Sequence, residues 1–170
     1  MALPFSENTF DAAVTALVIF FVSDPGKAVA EMLRVVRQGG TVATYVWDML
    51  GGGFPHEPIQ AEMRAMGVMP VLPQSSEASR MKTLRALWTD TGLTSVETRE
   101  ILVQRTFADF DDFWTKSLSG SGMGSMVSAM NASDVALLKA RVRRRLSTDA
   151  AGRILCDARA NAIKGTVPYR

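Results

Sequence analysis

Few side chains in this sequence are of types that do chemistry near neutral pH, and their placement narrows what they could do. His56 is the single histidine of 170 residues and sits in a stretch rich in glycine and proline. An imidazole there suits a general base, because it exchanges its proton near neutrality; a lone loop histidine is more often simply solvated. Asp48 follows an apolar run. It could orient an acceptor or take a proton, or simply shape a turn. Asp109, Asp111 and Asp112 crowd one helix start, where acids stabilise the dipole, so no metal is expected. Arg141, Arg143, Arg144 and Arg145 read first as a solvated helix face and only second as a contact for an anion. Cys156, the one cysteine, excludes an internal disulfide framework and reads as inert packing.

The composition is that of a globular protein with a real core, 47% hydrophobic and 21% charged residues, and the strand–helix–strand order below makes the expected class α/β. A net charge of +2 is too small to argue for nucleic acid. No apolar run approaches the ~18 residues of a membrane span, and no basic segment precedes an apolar one at the start. A soluble, cytoplasmic protein is the expectation.

The elements that must position the candidates can be read in order. Phe10 to Leu17 is a continuous apolar run, which predicts a strand buried on both faces, and Val18 to Val22 continues it into a turn. Asp24-Pro25 starts a helix with an N-cap acceptor and a proline at its first position. Ala28, Val29, Met32, Leu33 and Val36 make one apolar stripe, Glu31 can pair with Arg34, and Gly39-Gly40 is expected to end the helix. Thr41 to Trp47 is a second strand, parallel to the first through a right-handed crossover. Residues 48–78 gather glycines and prolines around a short helix from about Pro58 to Met66. Helix from Ala78 to Thr91, stopped by Gly92, and strand from Thr94 to Val103 follow. Asp109 caps a helix bearing Phe110, Phe113 and Trp114, which Gly120, Gly122 and Gly124 break. Ser133 starts another helix, and Arg153 to Lys164 is the last strand, with small residues alternating along one face.

Leu3-Pro4-Phe5, Phe10-Asp11, Asp24-Pro25, Glu31, Arg34-Val35 and Gly39-Gly40, in this order and spacing, resemble the central stretch of class I S-adenosylmethionine-dependent methyltransferases. The resemblance covers about residues 1–47, and the rest fits that family's variable carboxyl half. It implies a partial Rossmann-like methyltransferase sheet, the carboxyl half with an antiparallel last strand, carrying helical insertions at 48–78 and 104–150 of a single domain over 1–170. The family's glycine-rich donor turn and ribose acid would precede Met1. Gly51-Gly52-Gly53 and the glycines from Gly120 to Gly124 do not stand where a dinucleotide turn must, between a buried strand and a helix. The chain therefore reads as a truncated form.

The implied cofactor is S-adenosylmethionine and the implied activity methyl transfer to a small molecule. By family position, Leu17, Val18 and Phe20 lie where the donor approaches, or are plain core. Trp47, Phe113 and Trp114 are candidates to line the acceptor pocket, or again core. Strand 10–17 would have one bare edge, which invites a homo-oligomer such as a homodimer, or another polypeptide supplying the missing half. A non-catalytic oligomerising remnant of the fold is the alternative to an enzyme, and a binding domain that uses the 48–78 region without chemistry is a third.

Overall fold

The computed structural model describes residues 2–119 and 122–169, so Met1 and Gly120 lie outside the described residues. The order is β1 (Phe10–Ala16), a 3-10 turn (Ile19–Phe21), α1 (Pro25–Val35), β2 (Val36–Trp47), α2 (Glu57–Ala65), a second 3-10 turn (Ser76–Ser79), α3 (Met81–Asp90), β3 (Thr94–Phe107), α4 (Phe110–Leu118), α5 (Gly122–Ser128), α6 (Ala132–Arg145), β4 (Ser147–Thr148) and β5 (Ile154–Thr166). The sheet runs β1-β2-β5-β3, and β4 pairs with β5. The chain forms two compact units: residues 1–54, 73–102 and 159–170, and residues 55–72 and 103–158. Among the described residues no helix is long and apolar enough to cross a membrane.

In the first unit the crossover forms as the sequence predicts. Asp24 caps α1 by accepting the Lys27 amide, with Pro25 at the first helical position. Glu31 and Arg34 meet through Nε–Oε1 at 2.9 Å and Nη2–Oε2 at 2.8 Å. The pair also holds the preceding loop: Leu3 N–H donates to Glu31, and Arg34 donates to the carbonyls of Phe5 and Leu3. These bonds hold the Glu31 carboxyl down to about 2, the Arg34 guanidinium being the main cause. β1 then pairs parallel to β2, Ala12 opposite Thr41 through Ala16 opposite Tyr45. β5 closes antiparallel on the other edge of β2, setting Ala162 against Tyr45 and Ala160 against Trp47. Small residues opposite large ones fill that seam.

Two expectations fail here. Gly39-Gly40 does not end the helix, which stops at Val35; both glycines lie inside β2. The register jumps from Phe10 opposite Val36 to Ala12 opposite Thr41, so β2 bulges between them. Gly39 takes the left-handed conformation at φ +76°, and its amide bonds Val167. At Gly40 a Cβ would stand 2.5 Å from Val36 Cγ1 and 2.6 Å from Asp11 O. Glycine is thus required by the bulge, where it was read as a cap.

The second failure is β1, which is not buried on both faces. The core lies on one side of the sheet, where Val42, Val46 and Ile163 meet Val29, Met32 and Val35 of α1 and Leu84 and Trp88 of α3. Trp88 Nε1 donates to Val42 O at 3.0 Å and anchors α3 there. The other side is open: Val14 is 63% exposed, and Tyr45 and Ile101 are also exposed. They border a shallow concavity of about 510 Å³.

Smaller differences follow from local chemistry. Residues Ser76–Ser79 form a 3-10 turn, so α3 starts three residues later than its apolar pattern suggests. Gly92 follows it at φ +92°, as expected of a stop. Gly122 and Gly124 lie within α5, where they were expected to break a helix. Asn131 caps α6, which starts at Ala132, one residue ahead of the expected Ser133. Asn161 breaks the alternation of β5, because it is buried beside Ala160.

Gly40→Ala is expected to cost about 1–3 kcal/mol or more, since two of the three obstructing atoms are backbone oxygens that cannot move aside. Urea unfolding should show a lower midpoint with an unchanged slope.

Candidate functional site

Ligands of open α/β sheets bind beyond the carboxyl ends of parallel strands. In the first unit those ends are Ala16 of β1 and Trp47 of β2. β1 stops abruptly. Leu17 adopts φ +58°, while its amide still bonds Tyr45 O at 2.9 Å. A branched, bulky residue in the left-handed region carries strain of order 1 kcal/mol or more, and such strain gathers at functional turns. The turn sends Ile19 and Phe20 into the core and leaves Val18 and Phe21 exposed. Ser75 straps it, donating its amide to Phe20 O and its hydroxyl to Val22 O. Of the three residues expected at the donor, Leu17 and Val18 are therefore accessible, and the Phe20 side chain is not.

Trp47 is half-buried at the end of β2. Asp48, next to it, is only 6% exposed and its carboxylate is committed. Oδ1 accepts the Gly51 amide at 3.0 Å and Oδ2 accepts Arg159 Nη2 at 2.5 Å. The same Nη2 donates to Gly51 O at 2.9 Å. Asp48 N–H donates to Arg159 O, Arg159 N–H to Gly53 O, and Gly53 N–H to Asp48 O. The triple glycine allows this: a Cβ at Gly51 would enter the Asp48 carboxylate, and one at Gly53 would stand 2.7 Å from Arg159 O. The carboxylate raises the Arg159 guanidinium further above its ordinary range. Asp48 thus works first as the hub of a turn. Arg159 gives no sequence signal toward it beyond being a cation among small residues, because the partners lie far apart in the chain.

The remaining candidates lie in the second unit. His56 precedes α2, and its carbonyl accepts the Ile59 and Gln60 amides. Burial, then the positive charge of Arg105, push its imidazole below the ordinary 6.5, so it is neutral at physiological pH. A neutral imidazole can accept a proton, though less avidly than a solvated one. Phe113 is 0% exposed and meets Phe107 edge-on at 5.2 Å. Trp114 stacks on Phe110 at 6.0 Å and is covered by the Lys139 ammonium. Both rings are core of this unit. Asp109 and Asp112 cap α4 reciprocally, Asp109 accepting the Asp112 amide and Asp112 the Ala108 amide. Cys156 is buried against Pro55 O, and burial pushes its thiol up, which keeps it protonated.

The donor implied by the sequence can be tested against these groups. Exposed Val18 and Phe21 beside the Leu17 turn fit an apolar flank of a nucleoside thioether. Asp48, held by Arg159 and Gly51, does not fit the task of holding a ribose.

Residues 1–44 match a family model described as a methyltransferase domain. A demethylmenaquinone methyltransferase of Renibacterium salmoninarum is 51% identical over 39 residues, which is 23% of this chain and 16% of that protein. An uncharacterised protein of Mycobacterium tuberculosis is 38% identical over 50 residues, 29% of this chain and 18% of that protein. The matched segments thus span less than a fifth of these relatives. Over the whole chain the similarity is structural. The YcgJ protein of Bacillus subtilis aligns with a TM-score of 0.53 at 17% identity, covering 99% of this chain and 68% of that one. A candidate methyltransferase of Bacillus halodurans aligns with a TM-score of 0.52 at 13% identity, covering 98% and 74%. Residues 1–44 are thus similar to a methyltransferase domain, and the chain shares the Rossmann-like fold of these neighbours.

His56 gives a pH prediction. Its folded value lies below the ordinary 6.5, so protonation favours the unfolded chain. Its contribution is whole above the unfolded value and lost as pH falls toward the folded one. Urea midpoints compared at about pH 7.5 and about pH 5.5 should fall more for the parent than for His56→Gln.

Proposed function

We propose, with the methyltransferase segment and fold as premise, that this chain takes part in methyl transfer from S-adenosylmethionine, the donor of this family, to a small molecule. The observation that carries the reading is the left-handed Leu17 turn with exposed Val18 at the carboxyl end of β1. That turn follows directly from the segment with the family resemblance. When bound, the sulfonium donor supplies an activated methyl group. What remains for the protein is alignment of the acceptor and exclusion of water. Leu17 and Val18 would flank the donor, Trp47 offers an aromatic wall at the adjacent strand end, and Asp48 with Arg159 fixes the loop that follows.

A second reading rests on a different observation. β1 is apolar but for Asp11 and Thr15, its outer edge is unpaired among the described residues, and Val14 is largely exposed. A bare edge of this kind recruits another strand. Self-association through residues 10–16, with or without catalysis, is the proposal it supports.

Calorimetric titration with S-adenosylhomocysteine, the reaction product, tests the first reading. Micromolar binding that weakens at least about tenfold in Val18→Glu is the expected result. No heat at about 1 mM, a limit near −4 kcal/mol, leaves the second reading in place. Light scattering tests that one: the parent should be larger than a monomer, and Val14→Lys should return it to one.

A further inference from the structure

The helical unit carries a feature that methyl transfer does not use. α6 presents Arg141, Arg144 and Arg145 on one face, at the i, i+3 and i+4 spacing that brings side chains together. Glu62 of α2 faces them, and the four line an open concavity of about 410 Å³. The Glu62 side chain is only 14% exposed and divides its oxygens: Oε1 takes Arg145 Nε at 2.9 Å, and Oε2 lies 3.8 Å from Arg141 Nε. Both contacts use Nε. The outer Nη groups of Arg141 and Arg145 carry no protein bond among the described residues, and Arg144 makes no ion pair there. The neighbouring cations are placed otherwise. Arg143 lies over the Phe110 ring at 4.5 Å and Lys139 over Trp114 at 5.3 Å.

The carbonyls of a helix's last turn attract cations, which accounts for basic residues at this end. They account less well for Arg141, a turn earlier, and not for a nearly buried carboxylate spent on aligning two guanidiniums. Three guanidiniums against one carboxylate leave two positive charges unanswered in the concavity. Planar guanidinium forks match the oxygens of phosphate, pairing two bonds at a time. We infer that Arg141, Arg144 and Arg145, spaced by Glu62, form a binding site for a dianionic phosphate monoester carried by a small molecule. The site stands independently of the methyl-transfer reading.

The test is calorimetry of the full chain with inorganic phosphate, followed by displacement with phenyl phosphate. Saturable one-to-one binding is expected, weakened about tenfold in Arg144→Gln and unchanged in Arg143→Gln, because Arg144 lines the concavity and Arg143 does not. Arg144→Lys keeps the charge without the fork and should fall between. Should Arg144→Gln lose its helical circular dichroism, Arg141→Lys replaces it with the same expectation of weakened binding. Three results overturn the assignment: no saturation by about 20 mM phosphate, equal losses in the Arg143 and Arg144 variants, or failure of phenyl phosphate to displace phosphate. Duplex DNA bound at this face and not displaced by phosphate overturns it also, in favour of a nucleic-acid surface.

Discussion

The Glu31–Arg34 pair is the interaction on which the first unit depends. A carboxylate and a guanidinium three residues apart on α1 would add little to stability by themselves, since both are partly exposed. Here they have a second task. The free bonding capacity of each reaches the segment before β1: the Leu3 amide, the Leu3 carbonyl and the Phe5 carbonyl. Asn8 and Thr9 then donate to the carbonyls of Arg34 and Val35. The chain enters β1 already fastened to the end of the helix that follows it. In this chain the leucine-proline-phenylalanine segment is thus held by the Glu-x-x-Arg helix.

That fastening fixes where β1 lies but does not cover it. Parallel strands in α/β sheets usually carry helices on both faces. Here α1 and α3 share one face, and the other presents Val14, Tyr45 and Ile101 to solvent. An apolar run alone could not reveal this. Phe10 to Leu17 reads as doubly buried because apolar side chains fall in both phases of the alternation; burial depends on what else packs against them.

Much of the remaining pattern was legible where the signal is local. Asp24-Pro25 and Asp109 cap as read, because capping needs only a side chain and an amide three residues on. Gly39-Gly40 reads as a helix end because a left-handed glycine serves a bulge as well as a cap, and only the register of Phe10 and Ala12 against β2 separates the two. The Asp48–Arg159 hub was not legible. Asp48 was seen as a turn residue or a base, and its partner sits on the last strand. Phe113 and Trp114 look alike as pocket or core until the rings from Phe107 and Phe110 close around them. The Leu17 turn left no mark in composition at all, since nothing about leucine announces a positive φ.

The antiparallel seam between β2 and β5 has a consequence in time. Thr41 to Trp47 finds its partner in Ala160 to Thr166, near the opposite end of the chain. A ribosome adding roughly 5–20 residues per second leaves the inner edge of β2 without its neighbour for several seconds, while the whole helical unit is made in between. The Asp48 loop cannot close during that wait, because its arginine does not yet exist. The two units are interleaved along the chain, so neither ripens simply by emerging first. The segment shared with relatives is finished last, and for that interval the nascent chain carries the inner edge of β2 unpaired.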